Sequence, residues 1–144
     1  MEVRSKVYTY RTLVRWTNEK KGLATSPGKP DLQVATPPEF KGHAGFWSPE
    51  DLFVASINVC VMSTFLAFAE RVGLGFTAYE SEAEGKVELV DGKLQMTSVV
   101  LSPRVSLKPG EDASKAREVL AKAESHCLLS NSVKARVMVE AAIT

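Results

Sequence analysis

The chain has 144 residues, 44% of them apolar, and balances 18 basic against 17 acidic side chains for a net charge of +1. That length is about one domain's worth, so a single domain over residues 1–144 with a real hydrophobic core is expected. The even charge, without a basic block, acidic tail or low-complexity segment, excludes a nucleic-acid binder working through bulk charge.

The opening stretch MEVRSKVYTYRTLVRW lacks the apolar run of a secretory signal, which makes the cytoplasm the expected location. Thiols stay reduced there unless they do redox work. Cys60 and Cys127, with 66 residues between them, form neither a disulfide scaffold nor a CxxC pair.

Residues 3–16 are rich in Val, Tyr and Thr, and Tyr8, Tyr10, Val14 and Trp16 share one parity, which predicts a strand. TNEKKG (17–22) reads as a turn, and short strands are expected at 23–25 and 32–35 around SPGKPD. TPPEFKGHAGFWSPE, with its prolines and glycines and no period, reads as a loop. Phe46 and Trp47 within it suit a hydrophobic staple, a subunit contact or a pocket wall.

A helix start follows. Ser48 can cap, Pro49 suits the first helical position, Glu50 and Asp51 favour the positive end of the dipole, and Ser48 and Asp51 have capping-box spacing. The helix is expected to reach Val72 and stop at Gly73. Its uncharged part, residues 52–69, is at the short end for a bilayer and holds Ser56, Asn58, Ser63 and Thr64, so a buried helix and no membrane span is expected. Apolar residues cover nearly every direction of it, which suggests that a second subunit supplies part of its surroundings.

Residues 76–90 and 93–107 flank Asp91-Gly92, a type I′ hairpin signal. Residues 111–125 read as a second helix whose stripe of Ala116, Val119, Leu120 and Ala123 continues to Cys127, which should point inward. Residues 133–141 read as a closing strand. The order predicts an α+β fold with both helices packed on an antiparallel sheet. Alone, Cys60 suits a core position as a small hydrophobe. With both helices on one sheet, however, two inward cysteines can meet, and a bond would need Cα atoms within about 7 Å.

WSPEDLFVASINVCVMSTFLAFAERVGL together with ESHCLLSNSVKA resembles the OsmC/Ohr family of osmotically induced and organic hydroperoxide resistance proteins. The resemblance lies in the Pro-Glu-Asp-Leu start, the small and apolar run up to a cysteine, and a later cysteine followed by Ser-Asn. It implies an OsmC-like α+β fold, with an antiparallel sheet, a long buried central helix and a second helix, in an intertwined homodimer. It also implies a thiol peroxidase for organic hydroperoxides. Cys60 would be the peroxidatic and Cys127 the resolving cysteine of an intramolecular disulfide, with a thiol or dithiol as reductant and no cofactor or metal.

A peroxidatic cysteine works as thiolate, whereas a free thiol is mostly protonated at neutral pH and apolar burial raises its pKa further. The resemblance implies an arginine held by a glutamate, and Glu50 matches that glutamate. Ten helical residues rise about 15 Å, so on one continuous helix Glu50 serves the Cys60 of another subunit. Arg15 takes the arginine's place, just before a loop that itself carries Lys20 and Lys21; Lys29 and Lys41 remain alternatives. His43 and His126 fit no zinc spacing with the cysteines. Another function on the same fold is a binding protein that holds a small hydrophobic ligand in a dimer-interface pocket.

Overall fold

The computed structural model describes residues 6–144 and divides into two compact units, one reaching to Asp51 and one covering Leu52–Thr144.

In the first unit, β1 (Leu13–Asn18), β2 (Lys21–Thr25) and β3 (Leu32–Ala35) form an antiparallel sheet in that order. The expected first strand is shorter than its composition suggests. Residues 6–12 carry no regular structure, so Tyr8 and Tyr10 lie outside the sheet, and the start of the predicted strand falls outside the described residues. The reason is pairing: β2 offers five residues, and Leu13 opposite Thr25 ends the ladder. The β1–β2 turn is tight, with Glu19 at φ 51° and the Trp16 indole donating to the Glu19 carbonyl at 2.8 Å.

The following segment is a loop as expected, apart from one 3-10 turn at Pro38–Phe40. The Pro37 carbonyl accepts from both Phe40 and Gly42, and His43 N–H donates to the Thr36 carbonyl at 2.8 Å. Ser48 and Asp51 form the anticipated reciprocal cap. Asp51 N–H donates to the Ser48 hydroxyl at 3.1 Å, and Ser48 N–H donates to the Asp51 carboxylate at 3.0 Å.

That cap opens α1 (Pro49–Val72), and Gly73, at φ 69°, closes it with Leu74 N–H donating to the Ala69 carbonyl. Only a left-handed residue reverses the chain this sharply, and glycine takes that conformation without a Cβ clash.

The second unit continues with β4 (Phe76–Val90) and β5 (Lys93–Leu107), paired antiparallel across Asp91 and Gly92. Both turn residues have positive φ, 51° and 77°, as a type I′ turn demands. The second helix, α2 (Ala113–His126), is capped by the Asp112 carboxylate, which accepts from Ser114 N–H at 2.8 Å. The closing strand is split into β6 (Arg136–Val139) and β7 (Ala142–Ile143).

Here the sheet departs from the expected all-antiparallel form, because β6 and β7 run parallel to β5. A hairpin reverses direction, but α2 works as a crossover that returns the chain to the start of the next strand, and a crossover gives parallel pairing.

The core of this unit lies between α1, α2 and β5. Ile57, Val61 and Phe65 of α1, Val99, Leu101 and Val105 of β5, and Ala116, Ala123 and Cys127 of the α2 segment have no exposed surface. In length and composition α1 suffices to cross a bilayer. Its stripe from Ile57 to Ala69 is nonetheless enclosed by protein, while Val59, Leu66 and Val72 remain exposed. The expectation of a helix buried on all sides therefore holds for one face only within a single chain.

Candidate active site

Two helices deliver the two cysteines to one place. Cys60 sits at the middle of α1, half-buried against the core; Cys127, the residue that ends α2, is fully buried, in register with the Ala116–Ala123 stripe. Both thiols are free, and their side chains lie within hydrogen-bonding reach of each other.

Polar groups reach this pair from the turn after α2 and from α1. After Cys127 the chain bends through a 3-10 turn at Ser130–Ser132, with Asn131 N–H donating to the Cys127 carbonyl and the Ser132 hydroxyl to the Leu128 carbonyl. The bend aims Ser130 N–H at the Cys127 sulfur, 3.5 Å away, and brings Leu129 N–H to both sulfurs. On the α1 side, Thr64 lies one turn beyond Cys60, and its hydroxyl donates to the Cys60 carbonyl at 2.8 Å.

The two thiols are driven apart in acidity. Burial pushes the Cys60 thiol up and the Cys127 contact pushes it further, against a smaller pull from Leu129 N–H and the Thr64 hydroxyl. At Cys127 burial also pushes up, but the Cys60 thiol, the Ser130 hydroxyl and the N–H groups of Ser130 and Leu129 together bring it below its ordinary value. The first proton therefore leaves the pair with the negative charge favoured at Cys127, and the sulfurs titrate as a unit.

The sign of two substitutions follows. Cys60→Ala removes a donor to the Cys127 thiolate, so Cys127 is expected to ionise at higher pH. Cys127→Ala removes the neighbouring thiolate and its hydrogen bond, so Cys60 is expected to ionise at lower pH than in the parent. Thiolate absorbance near 240 nm across a pH series reads both, and shifts of the opposite sign would disprove the coupling.

The remaining sequence candidates belong to the first unit. Arg15 is exposed on β1, in register with Leu23. Glu50 occupies the first turn of α1, a helix without a break to Val72; its Oε1 is buried and has no hydrogen-bond partner among the described residues. Lys20 N–H faces His43 Nε2 at 3.4 Å, and His43 pairs with the Glu19 carboxylate at 3.3 Å. The Lys21 ammonium lies 5.2 Å from the centre of the Phe46 ring. Among the described residues, no cation contributes to the acidity of Cys60. His126 lies edge-on to Phe68, 5.3 Å between ring centres.

No local pattern in the sequence marks the polar turn itself. Ser130 and Asn131 are visible in it only as two letters after a cysteine, and the signal that could have found them is a serine and an asparagine directly after an apolar helix end.

Two helices on a mixed sheet, with one thiol from each in mutual contact, define an α+β dithiol protein. The sequence profile of the family described as OsmC-like protein matches residues 42–142, and the chain belongs to that family. It is 25% identical over 126 residues to the uncharacterized protein YmaD of Bacillus subtilis (strain 168), covering 85% of this chain and 84% of that one. Against peroxiredoxin OsmC of Escherichia coli (strain K12) it is 27% identical over 101 residues, 70% of this chain and 69% of the other. An OsmC-like protein of unknown function from Vibrio cholerae has the same fold, with a TM-score of 0.87 at 21% identity, covering 94% of this chain and 99% of the other. Further structural neighbours are named organic hydroperoxide resistance proteins.

Proposed function

We propose that this protein is a thiol-dependent peroxidase that reduces organic hydroperoxides, and the contact between Cys60 and Cys127 is the observation that carries the reading. The Cys60 thiolate attacks the terminal peroxide oxygen. The O–O bond breaks, the alkoxide leaves and takes a proton as the alcohol, and Cys60 becomes a sulfenic acid. The Cys127 thiolate then attacks the Cys60 sulfur, the S–O bond breaks, and hydroxide leaves and is protonated to water. A thiol or dithiol reductant returns the disulfide to two thiols by exchange, being oxidised to a disulfide itself.

Burial pushes the Cys60 thiol up in pKa within its own chain, so the reading needs a cation brought to it. A homodimer supplies one. Glu50, whose buried oxygen has no hydrogen-bond partner among the described residues, orients a basic residue (Arg15, or Lys20 or Lys21 in its place) at the Cys60 of the other subunit. An unpaired buried carboxylate oxygen is costly, and a guanidinium or ammonium relieves that cost. The exposed Val59, Leu66 and Val72 of α1 fit a surface covered by a second copy. The cytoplasm, where a dithiol pool is at hand, is the proposed location.

A second reading is a non-catalytic protein that binds a small hydrophobic ligand in the dimer-interface pocket. The observation favouring it is the β1–β2 connection, where Lys20 in the turn and Lys21 at the start of β2 stand where a bidentate arginine would clamp both a carboxylate and a thiolate.

One oxidation separates the two. The reduced protein receives one equivalent of cumene hydroperoxide, and its intact mass is recorded within seconds beside Cys60→Ser and Cys127→Ser. The peroxidase is expected to lose two hydrogens, Cys127→Ser to trap the sulfenic acid, and Cys60→Ser to stay unchanged. A wild-type mass that stays constant for minutes would sink the peroxidase and leave the binding protein.

A further inference from the structure

The buried Ser130 hydroxyl, one of the groups that favour the Cys127 thiolate, takes part in none of the peroxidase steps. Ser130 Oγ is inaccessible to solvent and has no aligned hydrogen-bond partner among the described residues. Its own N–H already points at the Cys127 sulfur from 3.5 Å. The turn that places it is held by Asn131 N–H on the Cys127 carbonyl and Ser132 N–H on the Leu129 carbonyl, so the residue cannot swing away without breaking both. A hydroxyl is a rotor, and a neutral thiol is a weak acceptor that gives it little reason to align. A thiolate is a strong one. Ionisation of Cys127 therefore creates the acceptor that the buried Ser130 hydroxyl lacks.

We propose that Ser130 is a positioning residue for the resolving step: its N–H and its hydroxyl together hold Cys127 as a thiolate directed at the Cys60 sulfur. The inference rests on the peroxidase reading and deepens it. In the step concerned, the Cys127 thiolate forms the S–S bond to Cys60, the S–O bond of the sulfenic acid breaks, and the departing hydroxide takes a proton to become water; Cys127 supplies the electron pair, and no further oxidant is needed. A lowered pKa of the attacking thiol also suits its surroundings, because a buried thiol without such donors would remain protonated at neutral pH and leave the sulfenic acid exposed to a second peroxide.

The test compares wild type, Ser130→Ala and Ser130→Thr after one equivalent of cumene hydroperoxide, with rapid quenching and intact-mass analysis over a pH series. Loss of a hydrogen bond to a charged group predicts that the Cys60 sulfenic acid of Ser130→Ala persists roughly ten-fold longer. Its resolution profile should move to higher pH, and excess peroxide should drive it to sulfinic acid. Ser130→Thr, which keeps the hydroxyl, should restore the fast resolution; a purely structural role would not follow the hydroxyl or the pH. Equal lifetimes and pH profiles in wild type and Ser130→Ala would overturn the proposal. A wild type that does not react with the hydroperoxide is a failure of the peroxidase reading instead. The Ser130 role is then decided by titrating Cys127 in the Cys60→Ala background, where an added Ser130→Ala that leaves the ionisation in place overturns it and a move to higher pH supports it.

Discussion

Phe65→Ala is expected to lower the unfolding free energy by about 3–5 kcal/mol. Phe65 is the largest fully buried side chain, on the α1 stripe with Ile57, Val61 and Ala69. Its ring meets Phe76 edge-on at 5.3 Å and Tyr79 at 4.9 Å between centres, both on β4. Truncation removes the apolar transfer term, two aromatic contacts and the packing against β5, and it leaves a cavity that a helix pinned at both ends cannot close. Urea denaturation followed by far-UV circular dichroism measures the loss as a fall in the midpoint at unchanged slope. A cost under about 1 kcal/mol would mean that α1 does not pack as described. The site shares this dependence, since Cys60 lies five residues before Phe65 and owes its place beside Cys127 to the seating of the same helix.

The second large effect is expected at Gly42, where Gly42→Ala should cost about 3 kcal/mol by forcing overpacking and breaking loop hydrogen bonds. A Cβ at Gly42 would collide with the backbone carbonyl of Thr36, and it would stand 2.8 Å from the Pro37 carbonyl oxygen. Both are main-chain atoms, so no side-chain rotation relieves the clash. The same two carbonyls accept from His43 and Gly42 N–H, and moving them away breaks those bonds. Gly85 is a useful contrast. A Cβ there would meet only side chains, Val54 at 2.5 Å and the Met96 sulfur at 2.9 Å; the methionine can give way, and the stiff valine carries the remaining cost. Thermal or urea unfolding of Gly42→Ala checks the expectation; stability within about 0.5 kcal/mol of the parent would refute it.

Much of this molecule was legible in its local chemistry. The Ser48–Asp51 box, Pro49 and Gly73 bounded α1 to the residue, because capping depends on side chains within a few positions of each other. Asp91-Gly92 announced its hairpin for the same reason: positive φ at two successive residues is a demand few sequences meet. The stripe from Ala116 to Ala123 carried enough periodicity to place Cys127 inward, and it is fully buried. The family followed from two cysteine motifs.

Other features depended on contacts that no local pattern encodes. Tyr8 and Tyr10 have strand-forming composition but no ladder, since β2 ends opposite Leu13 and a strand exists only where a neighbour accepts its hydrogen bonds. The direction of β6 was set by the path of α2 as a crossover, and the alternation of residues 133–141 is the same for either direction. Sequence determined that two cysteines could face one interior. Tertiary structure decided that they touch, that Leu129 and Ser130 N–H groups point at them, and that Cys127 is the one whose ionisation is favoured. The physical reason is range: caps, turns and amphipathic stripes act across a few residues, whereas the acidity of a thiol is set by whichever groups the whole fold brings within about 4–6 Å of it.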